Sequence, residues 1–86
     1  MLLGLALKVL LAAAIVGAIV VYVSGKITRS KLREKAQENG IKEALIQEID
    51  YCDNVVKLKD LDSDKELEVH GDDVDLDLDE DDVIYA

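Results

Sequence analysis

Proline, phenylalanine and tryptophan are missing from this 86-residue chain, which holds one cysteine, one histidine and five glycines. Each shortage excludes something. A single thiol cannot close an intramolecular disulfide, and small secreted domains usually carry several bridges, so the lone Cys52 favours a reducing compartment. Without proline and with little glycine, no linker of the usual disordered composition is present. One histidine, one cysteine and no glycine-rich phosphate loop cannot assemble a nucleophile–base pair or a zinc site, so neither an enzyme nor a cofactor is expected. Positive charge is also short. Ten Lys and Arg against nineteen Asp and Glu leave a net charge of −9, which argues against a nucleic-acid partner.

What charge there is lies unevenly. Residues 1–23 contain one charged side chain, Lys8, and the other twenty-eight follow. Leu2 to Val23 is a run of 22 residues with that single charge, close to the roughly 20 that a helix needs to cross the hydrocarbon core. Lys8 can snorkel to the nearer headgroups, and Tyr22 suits the opposite interface. The competing reading is a cleaved signal peptide, for which Val23-Ser24-Gly25 is a poor cleavage site. Lys26, Arg29, Lys31, Arg33 and Lys35 follow directly, and basic residues flanking a span stay on the cytoplasmic side. Residues 1–23 are therefore expected to be a single-pass transmembrane anchor, with the N-terminus outside and the C-terminal domain cytoplasmic. Ala13 with Gly17, and Ala14 with Ala18, have the small-xxx-small spacing that lets membrane helices pack closely.

Residues 24–40 read as a basic juxtamembrane helix, with Thr28 or Ser30 as N-cap and Asn39-Gly40 as its stop. Its basic cluster suits contact with anionic lipid. In residues 41–86, Ile41, Leu45, Ile49 and Cys52 recur at spacings of three and four and predict a second amphipathic helix. From Val55 the period becomes alternating. Pairing 55–60 antiparallel with 65–70 around Leu61-Asp62-Ser63-Asp64 sets Lys59 against Glu66, Leu58 against Leu67, Lys57 against Glu68 and Val56 against Val69. Every such pair is either oppositely charged or apolar, and a slip of one residue destroys the match. Val74, Leu76 and Leu78 alternate with aspartates as a third strand, and Val83-Ile84-Tyr85 form a short last one. His70, beside Gly71, reads as a structural residue flanking a turn. Cys52 reads as a small buried hydrophobe on the greasy face of the second helix.

The expected fold is thus a membrane α segment plus a small α+β unit. It has one N-terminal transmembrane helix, juxtamembrane helices, and a β-hairpin or meander of three to four short antiparallel strands. Thirteen acidic residues lie between Asp60 and Asp82 against one lysine. Calcium needs six to eight converging oxygens, and strand neighbours on one face are too far apart to share an ion, so no metal site is expected. Asp79, Glu80, Asp81 and Asp82 are the weak candidates for one. The functional expectation is a membrane-anchored accessory protein that presents an acidic mini-domain to protein partners. Its partners are the lipid bilayer and either another protein or a second copy joined through the transmembrane helix. A transport or pore component and a cation-binding acidic surface protein are the alternatives.

Overall fold

The structure, a computed structural model, describes residues 18–86. In chain order the elements are β1 (Ala18–Tyr22), β2 (Lys26–Ile27), α1 (Arg29–Glu38), β3 (Glu43–Asp50), β4 (Val55–Asp60), β5 (Glu66–His70), β6 (Asp73–Val74) and β7 (Val83–Tyr85). Five strands form one mixed sheet in the order β1-β5-β4-β3-β7, and β2 pairs with β6 in a separate two-stranded ribbon. Strand β1 runs parallel to β5, while β4 is antiparallel to both β5 and β3.

Alternation along the strands decides which side chains are buried. Ala44, Ile46 and Ile49 of β3, Val56 and Leu58 of β4, Leu67 and Val69 of β5 and Ile84 of β7 form one apolar face. That face is covered by Leu32 and Ala36 of α1, by Ile27 and Val74 of the ribbon, and by Leu78. Ile19, Val21 and Val23 pack against the same core. The opposite face is open and carries Lys57, Lys59, Glu48, Glu66 and Glu68, with Lys57 and Glu48 3.5 Å apart.

Several sequence expectations are corrected here. Ala18–Tyr22 is a strand and not the end of a transmembrane helix. A continuous apolar run fits a buried strand and a membrane span equally well by hydropathy, and in Ile19-Val20-Val21-Tyr22-Val23 the β-branched side chains favour the strand. No helix among the described residues is long and apolar enough to cross a membrane, so the single-pass anchor and the topology built on it are withdrawn. Residues 2–17 of the proposed span lie outside the described residues. Tyr22, assigned to a membrane interface, stands 71 % exposed with its ring 5.1 Å from the His70 ring.

The second amphipathic helix is also absent, because Glu43–Asp50 is strand β3. The reason is a β-bulge. The register of β3 against β4 shifts between Ile46 and Glu48, leaving Gln47 as an extra residue. Buried side chains then fall at 44, 46 and 49, and the last gap of three imitates a helical step. Cys52 consequently sits exposed in the turn after β3 and is not buried on a helix. The third strand shrinks to Asp73–Val74, which pairs in parallel with Lys26–Ile27, and Leu76 is exposed. The result is a mixed five-stranded sheet with one helix, in place of an antiparallel meander under several helices.

Local signals did place some elements. Thr28 caps α1 by accepting from the Lys31 N–H, and Gly40 ends it with φ 73°, a conformation glycine adopts without Cβ strain. The hairpin β4–β5 has the register that its charges specify: Lys57 faces Glu68, Leu58 faces Leu67 and Lys59 faces Glu66.

Candidate functional site

Most charged side chains hold the chain to itself. Of the five basic residues assigned to the membrane flank, Lys26 lies exposed on β2 and the other four make contacts within the domain. The Arg29 guanidinium lies 2.6 Å from Asp82 Oδ2, joining α1 to the start of β7. Lys31 Nζ donates to the Ser24 carbonyl, and Arg33 Nε donates to the Tyr85 carbonyl at 3.2 Å. Lys35 pairs with Glu38 at 3.3 Å. Basic side chains that reach carbonyls and carboxylates of their own domain explain this cluster structurally. Of the proposed helix-packing residues, Ala18 lies in β1, and Ala13, Ala14 and Gly17 lie outside the described residues.

Many carboxylates serve the turns. In a chain without proline, aspartate side chains supply the local hydrogen bonds that fold tight connections. Asp50 accepts from the N–H groups of Cys52 and Asp53 at 3.0 Å, and Asp75 accepts from Asp77 N at 3.0 Å. Asp72 accepts from Gly25 N at 3.1 Å, tying the β5–β6 link to the β1–β2 link. Asp64 and Asp81 adopt positive φ, of 59° and 72°, where aspartate is better tolerated than most residues. Glu80 reaches back to the bulge and accepts from Ile49 N at 3.0 Å. Asp60 is 5 % exposed, and its carboxylate accepts from Asp62 N at 2.9 Å and Ser63 Oγ at 2.8 Å.

These bonds favour the ionised form. The Asp53 N–H holds the Asp50 carboxyl below the ordinary aspartate value of 3.8. The Asp62 N–H does the same for Asp60, and the Arg29 guanidinium for Asp82. Groups whose native pKa is lowered contribute stability that is complete above the unfolded value and lost as pH falls through the native one. Thermal stability should therefore hold from neutrality to about pH 5 and fall as these carboxylates protonate below 3.8. Asp60→Asn should melt lower than the wild type at pH 7 and lose less on acidification. Calorimetric melts from pH 7 to 3 check both results, and an unchanged melting point for the variant would remove Asp60 from this account.

The four weak metal candidates split. Asp82 is engaged by Arg29 and by Val83 N, and Glu80 by Ile49 N, while Asp79 and Asp81 point outward. No group of three potential metal ligands converges among the described residues, and no pocket opens there. His70 ends β5 with Nε2 3.3 Å from Glu68, on the open face of the sheet.

Among the described residues several carboxylates make no such contact; Glu34, Glu43, Asp62 and Glu66 are scattered, while Asp77, Asp79 and Asp81 share one loop. The segment from Asp75 to Asp82 leaves β6 after Asp75 N bonds the Ile27 carbonyl. It is pinned halfway by buried Leu78 and rejoins the sheet where Ile46 exchanges backbone bonds with Asp81 and Asp82. Among the described residues no hydrogen bond or ion pair holds the exposed carboxylates of Asp77, Asp79 and Asp81. Beside them Leu76 is 81 % exposed, the most exposed large apolar side chain of the described residues. The alternating pattern that suggested a strand thus concealed an exposed apolar side chain among free carboxylates. Within the Asp75-x-Asp77-x-Asp79 run only Asp75 caps a turn, by accepting from Asp77 N. Comparison with protein-family models, with curated proteins and with solved structures finds no match.

Proposed function

We propose that the chain is a small interaction module whose Asp75–Asp82 loop docks a partner surface that is basic around an apolar centre. The observation that carries this is Leu76, 81 % exposed beside carboxylates that nothing in the described domain neutralises. An isolated exposed leucine is ordinary, and an acidic loop is ordinary. Their combination on a loop anchored at both ends is the arrangement of an anchor residue within a polar rim. The loop is held by Val74 and Leu78 in the core and by the Ile46 backbone, so ordering it costs a partner little conformational entropy. The excess of carboxylates speeds encounter with a cationic surface and penalises acidic ones.

The test is a titration of the isotopically labelled full chain with an amphipathic lysine–leucine peptide, read by backbone amide shifts. Shifts should centre on residues 75–82 and weaken with added salt, because exposed charges are screened at about 8–10 Å under ordinary ionic strength. Leu76→Ser combined with Asp77→Asn and Asp79→Asn should weaken binding at least tenfold, about 1.4 kcal/mol. Shifts spread evenly over all acidic residues, or a variant that binds like the wild type, would reduce the loop to an ordinary solvated surface.

A further inference from the structure

The two outer edges of the sheet are treated differently by the sequence. At one edge, β7 is three residues long; Arg33 donates to its Tyr85 carbonyl, and Ala86 N bonds the Lys42 carbonyl. A short, side-chain-covered edge strand is protected against pairing with another chain. At the other edge, β1 is five residues of Ala-Ile-Val-Val-Tyr, without charge, proline, glycine or bulge. Its outer side has no partner strand among the described residues. The direction of its free groups follows from the register. Val23 N donates to the His70 carbonyl at 2.8 Å, so the odd-numbered residues of β1 bond β5. By alternation the N–H and C=O groups of Ala18, Val20 and Tyr22 then point outward.

We propose that β1 pairs antiparallel with β1 of a second copy, joining two five-stranded sheets into one of ten strands. The occupant is argued from self-complementarity. A two-fold axis through Val20 sets Val20 against Val20 of the second copy, and Ala18 against its Tyr22. Each is a hydrogen-bonded pair, because the outward-pointing residues are the ones that meet. On the open face, the large Tyr22 ring comes to lie beside the small Ala18, and the half-exposed Val20 meets its own copy. On the covered face, Ile19 meets Val21, extending the apolar layer across the junction. This edge carries no charge that would recruit the basic partner proposed for the acidic loop. A closed two-fold contact of this kind uses the edge once and stops.

The test uses the full chain and two opposite substitutions at the axis. Val20 is 48 % exposed and its N–H faces away from β5, so Val20→Lys and Val20→Glu each keep the β1–β5 backbone bonds. Val20→Glu also sets a like charge opposite Glu68, so the amide spectrum of each variant is checked for the β1–β5 pairing first. Sedimentation over a concentration series should give a dimer for the wild type. Each variant alone should associate at least about tenfold more weakly, because like charges then face each other across the axis. An equal mixture of the two should recover the dimer, which a merely misfolded variant could not do. A wild type that sediments as a monomer throughout overturns the proposal. So does undiminished association of either variant alone, or a mixture that fails to recover. A monomer with Val20 and Tyr22 amides protected from exchange likewise overturns it, and assigns the edge to cover from within the same chain.

Discussion

Leu67→Ala should destabilise the domain by about 2–5 kcal/mol, the range for removing a buried leucine from a packed core. Leu67 is 0 % exposed and stands at the centre of β5, with Leu58 of β4 opposite on one side and Ile19 of β1 opposite on the other. Its loss therefore leaves a void between three strands, whose side chains are held by the sheet and can collapse into it only in part. A domain of this size has an expected total stability near 5–15 kcal/mol at best. The substitution should remove a large part of it, measured as a lowered denaturant midpoint with the slope unchanged. The same experiment probes the role of β1. If Ile19 packs beside Leu67 as the register requires, Leu67→Ala and Ile19→Ala in one chain should not add, because contacting residues share a cavity.

Gly71→Ala is the second large effect, expected at about 1–3 kcal/mol, the usual cost of overpacking a close contact. A Cβ on Gly71 meets Ile27 Cγ1 at 2.6 Å, the Gly25 carbonyl oxygen at 2.9 Å and Val23 Cγ2 at 3.0 Å. Two of those neighbours are core side chains, and the third is backbone that Asp72 N bonds at 2.9 Å. None can withdraw cheaply. Gly71 is thus the point where the link after β5 passes tightly under the link after β1, and it needs the space that a missing side chain leaves, whatever its backbone angles. A thermal melt of the variant checks this, and an unchanged melting temperature would show that the two links do not lie against each other.

These two residues also show how unevenly the fold is written in the chain. The β4–β5 hairpin is legible because each facing pair carries a match of charge or apolarity, which only one register satisfies. Helix α1 is legible at both ends because Thr28 and Gly40 do local work that needs no tertiary partner. Strand β3 is obscured by Gln47, since one bulged residue converts a period of two into spacings that also suit a helix. Strand β1 is obscured for a different reason. Its partner β5 lies more than forty residues away in the chain, and hydropathy alone does not tell a lipid-facing residue from one facing another strand. The stretch from Val74 to Asp79 alternates like a strand, yet only Val74 pairs as one, and Asp75 caps a turn by accepting from Asp77 N.

The acidic surface divides along the same line. Asp50, Asp60, Asp72, Asp75, Glu80 and Asp82 hold backbone N–H groups, work that the count of charges conceals. Asp77, Asp79 and Asp81 are the remainder around Leu76, and only coordinates separate the two sets. The basic cluster behaves similarly. Arg29, Lys31, Arg33 and Lys35 suggested a membrane flank because they follow an apolar run, but their contacts are to Asp82, Ser24, Tyr85 and Glu38.

The central claim is that Ala18–Tyr22 belongs to the folded sheet, beside β5. Through-space and through-hydrogen-bond NMR couplings measured on the full chain address it directly. The account predicts a coupling from Val23 N–H to the His70 carbonyl and parallel cross-strand contacts linking Val20 to Glu68. Sequential helical contacts across residues 18–23, with no cross-peak to residues 66–70, would contradict it.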